Sequence, residues 1–299
     1  MASMNRVKTA LWLGGAILGV AFLVPAAIAM RAAISELRSG MPTPYAVSRP
    51  LTEAWIDSAK DITVSTPKGV VLRGWLVPSA NGGGVVFEDG SAADRTQLLP
   101  EAHILSAAGY GVFVFDRPGT GESGGQKGRE DELDFLRLAV DVLASEPGRR
   151  PGGIGAYGFS SGAAFLAEVA AKDTRLQGVV LAGCFTDAEE FVRHFQGRSA
   201  LKGLPALWAN QWAGFVFPHP LARVPEIAPR ALFLIAGDRD TVDPPDLSER
   251  LYAAASEPKT LWIVHGASHG NYAQVAGQEY AQKLLAFFDR ALLGRDAPH

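Results

Sequence analysis

The sequence is short of cysteine, of charge and of any basic excess. Cys184 stands alone in 299 residues, so no intramolecular disulfide framework can hold the chain together. Lys and Arg number 28 against 31 Asp and Glu, a formal net charge of −3, which argues against a nucleic-acid-binding surface. Charged residues make up 20% and hydrophobic ones 47%, the reverse of a disordered composition. Internal repeats, low-complexity tracts and metal-spaced ligand clusters are missing too, so no metal or organic cofactor is implied. The mean hydropathy is slightly positive, +0.08, high for a soluble domain.

Part of that apolarity lies at the front. Residues 10–30 carry no charge, and a helix of that length spans roughly 32 Å, enough for a hydrocarbon core. Arg6 and Lys8 precede the run and Arg31 and Arg38 follow it. Residues 1–30 read as a membrane anchor or as a signal peptide with a small-x-small cleavage form at Ala27–Ala29. Either places the following domain outside the cytoplasm, tethered in the first case and secreted or periplasmic in the second. Residues 31–56, with Pro42, Pro44 and Pro50, read as a juxtamembrane linker. Residues 57–299 are long enough for one domain.

That domain alternates strand and helix patterns. Strands are expected at Ile62–Ser65, Val70–Val77, Gly84–Phe87, Gly111–Phe115, Ile154–Phe159, Gly178–Cys184, Ala231–Ala236 and Thr260–Val264. Helices are expected at Glu101–Ala108, Asp131–Ser145 and Ala163–Lys172, with one closing helix over Tyr272–Leu293. Uncharged strands separated by helices point to an α/β fold, a mostly parallel sheet covered on both faces. Residues 185–229 form an insertion rich in Phe and Trp. Trp208, Trp212 and Phe215 share a helical face there, as core packing, as a small cap over an acyl pocket or as a bilayer contact.

Three stretches fit G-x-S-x-G, centred on Ser123, Ser160 and Ser268. A nucleophilic serine needs a strand, a sharp turn and a helix around it. Only Ser160 has all three: Ile154–Phe159 leads in, and a small-residue helix leads out from Gly162. Ser123 lies in a Gly- and Pro-rich loop, and Ser268 has almost no chain left for partners. A serine hydroxyl needs a base. Of the six histidines, His269 sits in the loop after the last strand, between glycines, where it can reach a serine at the strand ends; His265 reads as a packing or surface residue. The acid that orients the imidazole is sought in the loop after Ala231–Ala236. Asp240 is the first choice there, with Asp238 and Asp243 as competitors. The order Ser160, Asp240, His269 is the one expected for such a sheet.

Five stretches together, 62–78, 109–125, 156–162, 233–244 and 264–270, resemble the α/β-hydrolase family. Within it they are similar to membrane-anchored Bem46-like hydrolases related to monoacylglycerol lipases and serine aminopeptidases. The resemblance covers about Asp57 to Leu293. It implies an α/β-hydrolase fold with a small helical cap, and a serine hydrolase with Ser160 as nucleophile, His269 as base and Asp240 as acid. It implies backbone N–H groups of Ser161 and Ser91 as oxyanion donors. One departure stands out: Asp89 occupies the place of the family's histidine before Gly90, and a carboxylate there is unfavourable to a developing oxyanion unless turned away or hydrogen-bonded. Arg117 is a candidate partner for it. The expected substrate is a small-molecule carboxylic ester or thioester, lipid-like in character, with the membrane met through residues 10–30. A peptidase or amidase of the same fold, and a catalytically weak tethered binding protein, are the alternatives.

Overall fold

Runs such as GVFVF and IGAYGF have no polar side to turn to water, so they form strands only where a sheet is covered on both faces. Both are buried throughout their length, in β4 and β5 below. The computed structural model describes residues 56, 58–91, 93–126, 130–147, 153–187 and 218–295, all within one compact unit. The expected anchor at 10–30, nearly all of the linker, the central part of the cap insertion (188–217, with Trp208, Trp212 and Phe215) and His194 lie outside the described residues.

Among the described residues the strands are β1 (Lys60–Ser65), β2 (Val71–Val77), β3 (Gly84–Glu88), β4 (Gly111–Phe115), β5 (Ile154–Phe159), β6 (Leu176–Ala182), β7 (Ala231–Gly237) and β8 (Lys259–Val264). They form one sheet in the order β1-β2-β4-β3-β5-β6-β7-β8. β1 and β2 run antiparallel to each other, and β2 antiparallel to β4. Every other pairing is parallel. The helices are α1 (Leu99–Ala107), α2 (Glu130–Ala144), α3 (Ser161–Lys172), α4 (Pro220–Arg223), α5 (Pro245–Ala254), α6 (Tyr272–Ala276) and α7 (Gln278–Phe288).

Apolar clusters cover the two faces of the sheet. One joins Leu136 and Val140 of α2, Leu166 and Val169 of α3 and Leu251 of α5 to Val86, Val179 and Leu234 of the strands. The other joins Leu99 and Leu105 of α1 and Leu284 and Phe288 of α7 to Val85, Tyr157 and Ile235. The chain steps from β3 to β4 on one side and returns to β5 on the other. The strand order therefore reverses between β3 and β5, and sheets of this kind bind ligands at the carboxyl ends of such strands.

Three expectations change. The closing helix is not continuous: Gly277, at φ 53°, separates α6 from α7, and a π-type turn over Asp289–Leu293 ends the run. Only a residue without Cβ takes that backbone easily. α5 was not among the expected elements; it starts with Pro245 at its first turn, where the missing N–H costs nothing. Cys184 is buried and lies two residues beyond the end of β6, whereas the expected strand Gly178–Cys184 includes it.

Candidate active site

Ser160 lies between the last residue of β5 and the first of α3. Its backbone stands at φ 54° and ψ −124°, the one non-glycine with positive φ among the described residues. Such a conformation costs of the order of 1–3 kcal/mol and persists only where the surroundings impose it. They do so here. The Ser160 N–H donates to the Ala182 carbonyl at 2.9 Å, and the Ser160 carbonyl accepts from Ala164 at 3.3 Å. A Cβ on Gly158 would stand 2.6 Å from Ala163 Cα. The absence of a Cβ at Gly158 is thus what lets strand, turn and helix come together.

Asp240 sits in the loop after β7 and is 4% exposed. Its Oδ1 accepts the N–H groups of Val242 and Asp243, each at 2.9 Å. Its Oδ2 lies 2.8 Å from His269 Nδ1 and accepts the Tyr272 hydroxyl at 3.0 Å. Burial alone would raise the Asp240 carboxyl; the bonds from His269, Asp243 and Tyr272 outweigh it and hold the group below its ordinary value. The carboxylate is therefore charged at neutral pH. His269 follows β8. Its ring packs on Phe159 with centroids 4.7 Å apart, and a Cβ on Gly183 would stand 3.1 Å from its Cε1. Elements β5, β6, β7 and β8 thus converge on one imidazole, beside the residue that precedes Ser160.

The competing acids are placed elsewhere. Asp238 bonds the exposed His265 ring and the Gly266 N–H on the surface, so His265 has a surface role. Asp243 is buried, with Oδ2 at 3.9 Å from His269 Nδ1, beyond hydrogen-bond reach. Ser123 is a structural serine of its loop, its Oγ accepting the Arg73 N–H at 2.9 Å.

Ser161 opens α3, and Ser91 lies in the turn beyond β3, half-buried. The turn abuts the elbow: a Cβ on Gly90 would stand 3.2 Å from the Phe159 ring. The Gly90 N–H is occupied by Gln97 Oε1 at 2.7 Å. Arg117, 1% exposed, ties the two halves. Its Nη1 donates to the main-chain oxygen of Asp89 at 3.1 Å and to Ser161 Oγ at 2.8 Å. Its Nε donates to Glu132 Oε2 at 3.0 Å and stands 3.6 Å from Glu88 Oε1. Arg117 thus meets Asp89 through the backbone, and its direct carboxylate partner is Glu132. Burial raises Glu88 well above its ordinary value, against the pull of Arg117. Asp116 fixes the loop that carries Arg117, accepting the N–H groups of Arg95 and Glu122 at 3.0 and 2.8 Å. Among the described residues, no His, Cys, Asp or Glu side chains gather in threes as a metal site.

Tyr272, Gln97 and Glu132 were not singled out by sequence. Tyr272 follows His269 by three residues, but no local pattern marks its hydroxyl as the partner of an acid 32 residues earlier.

This fold has counterparts among known proteins. The model of the family described as serine aminopeptidase, S33 matches residues 83–226. The Pyrococcus furiosus esterase Pf2001 superposes with a TM-score of 0.69 at 22% identity, covering 84% of this chain and 97% of the esterase. The chain has the α/β-hydrolase fold. It is similar along most of its length to the uncharacterized protein Rv2307c of Mycobacterium tuberculosis, 29% identical over 87% of this chain and 90% of that protein. A shorter match, 30% identical over 54% of this chain and 53% of its counterpart, is to the thiohydrolase aneE of Aspergillus aculeatus.

Proposed function

We propose that this α/β-hydrolase cleaves carboxylic esters or thioesters through an acyl-enzyme on Ser160. The observation that carries the reading is the strained Ser160 elbow beside the hydrogen-bonded His269–Asp240 pair. His269 takes the hydroxyl proton as Ser160 Oγ attacks the acyl carbon. Asp240 bonds Nδ1, so the other ring nitrogen is the one left to face the serine, and its charge stabilises the imidazolium that forms. The main-chain N–H groups of Ser161 and Ser91 are the proposed donors to the oxyanion. Collapse of the tetrahedral species breaks the bond to the alcohol or thiol, which leaves with the proton from His269. Water, deprotonated by the same imidazole, then releases the acid and restores Ser160.

The named activities of the esterase Pf2001 and the thiohydrolase aneE support an ester or thioester substrate. The matching family description, serine aminopeptidase, favours an amide as the second reading. Hydrolysis rates on p-nitrophenyl acyl esters, acyl thioesters and aminoacyl anilides separate the two. Faster turnover of esters and thioesters, abolished by S160A, is expected; preference for the anilides overturns the ester reading.

The narrower likeness to Bem46-like hydrolases belongs to the same proposal. Residues 10–30 would tether the domain to a membrane with the domain outside the cytoplasm, or be removed near Ala29. Among the described residues no helix is long and apolar enough to cross a membrane. Carbonate extraction of membranes with N-terminal sequencing of the product tests both forms; a full-length chain recovered wholly in the cytosol overturns them.

A further inference from the structure

The loop after β7 brings a second carboxylate to the histidine. Asp243 is 3% exposed, and its Oδ2 has no hydrogen-bond partner among the described residues. That oxygen stands 3.9 Å from His269 Nδ1. The Asp243 N–H is spent on Asp240 Oδ1, which pins the residue's backbone against the first acid. The titratable groups that bear on Asp243 come from three loops: Asp240 after β7, His269 after β8 and the Cys184 thiol after β6. His269 is the one that can become a cation.

Among the described residues nothing hydrogen-bonds Oδ2 of the buried Asp243 carboxyl, and a buried polar atom left unpaired is costly. The position of Asp243 makes sense if its charge is used while the imidazole is charged. Asp240 holds the ring by a directional bond. Asp243 sits too far to hold it, yet within the range where an opposite charge shifts proton affinity by a unit or more.

We propose that Asp243 is a positioning residue for the hydrolytic reaction, a second acid that stabilises the His269 imidazolium alongside Asp240. This rests on the reading of Ser160, His269 and Asp240 as the triad. Burial raises the Asp243 carboxyl to about 7, against the pull of His269, so the residue gains its charge over the range in which the base works. A charge on Asp243 favours the protonated imidazole, so removing it lets the ring release its proton at lower pH.

The test is the pH profile of kcat/KM for D243N against the full wild-type chain. The acid limb is expected to move to lower pH by about one unit. With D240N, where Asp243 is the carboxylate left at the ring, adding D243N is expected to cut the residual kcat/KM about tenfold further. Should D243N fold poorly, D243S serves in its place, and the 13C signal of the Asp243 carboxyl in the wild type reads its titration near neutrality directly. Fluorophosphonate labelling of Ser160 in the same samples separates the two levels. An unmoved acid limb with Ser160 labelled overturns the role of Asp243 alone. Absence of label overturns the triad and the inference with it.

Discussion

Gly162 and Asp89 meet backbone against backbone. A Cβ on Gly162 would stand 2.2 Å from the Asp89 carbonyl oxygen and 2.7 Å from that of Glu88. The last glycine of the motif is thus set by the end of β3, far earlier in the chain, and through it the turn carrying Ser91 is held against the first turn of α3.

G162A follows as a direct test. Helix propensity alone favours alanine over glycine by about 1 kcal/mol. The contact is with main chain, which cannot swing aside, and overpacking of this kind costs about 1–3 kcal/mol. We expect the clash to win, lowering the midpoint of urea unfolding and separating Ser91 from Ser161, with loss of activity. A more stable and fully active G162A would show that the two backbones have room to part.

Arg117 leads to a second prediction. It is buried among Glu88, Asp89 and Glu132 and is the cation between them. R117M removes the cation and leaves the carboxyls, and breaking a buried pair in this way costs about 3–5 kcal/mol. R117K keeps the charge but lacks the planar fork that reaches Glu132, Ser161 and the Asp89 carbonyl together. Urea unfolding is expected to rank the stabilities wild type, then R117K, then R117M. Equal stability of all three contradicts the account of the cluster.

The Tyr272 hydroxyl is the third. Removing a hydrogen bond to a charged carboxylate costs about 1.5–3 kcal/mol. Y272F should lower kcat by about tenfold, with KM nearly unchanged, because Asp240 is a less firmly held acid without it. A drop in KM-weighted binding with kcat intact would place Tyr272 in the substrate site instead.

Glu101 gives a pH dependence. It lies on α1, buried near Tyr157 and Tyr280, whose hydroxyls are 2.7 Å apart. Burial raises its carboxyl from 4.5 to about 7. The unfolded chain gives up this proton near 4.5, whereas the folded one keeps it to about 7. The group's contribution is therefore complete below pH 4.5, declines as the pH rises to 7 and is flat above. The decline amounts to about 3 kcal/mol. E101Q removes it, so the difference in unfolding free energy between wild type and E101Q should change between pH 5 and pH 8. A difference independent of pH would mean that Glu101 titrates normally in the fold.

What sequence shows and what it hides divide along the chain's own geometry. The elbow at Ser160 was legible because a strand, small residues and a helix must follow one another locally. The meeting of Asp240 with His269 was legible because strand ends of a parallel sheet lie on one edge. β4 and β5 match their expected spans to the residue, as two-sided burial demands uninterrupted apolar runs. The break at Gly277 was masked by an apolar period that continues on both sides of it. The partnership of Arg117 with Ser161 and Glu132 was not readable, since it depends on β3 lying between β4 and β5. The distances of Asp238 and Asp243 from the imidazole were hidden for a similar reason. Three acids in one loop differ only by where each backbone turn aims its side chain.

The central claim is that Ser160 is the nucleophile, and a covalent label reads it most directly. The full-length protein is treated with a fluorophosphonate probe, digested and mapped by mass spectrometry. The account predicts one adduct, on Ser160, absent in S160A and slowed in D240N. An adduct on another serine, or none on a folded wild-type protein, would contradict it.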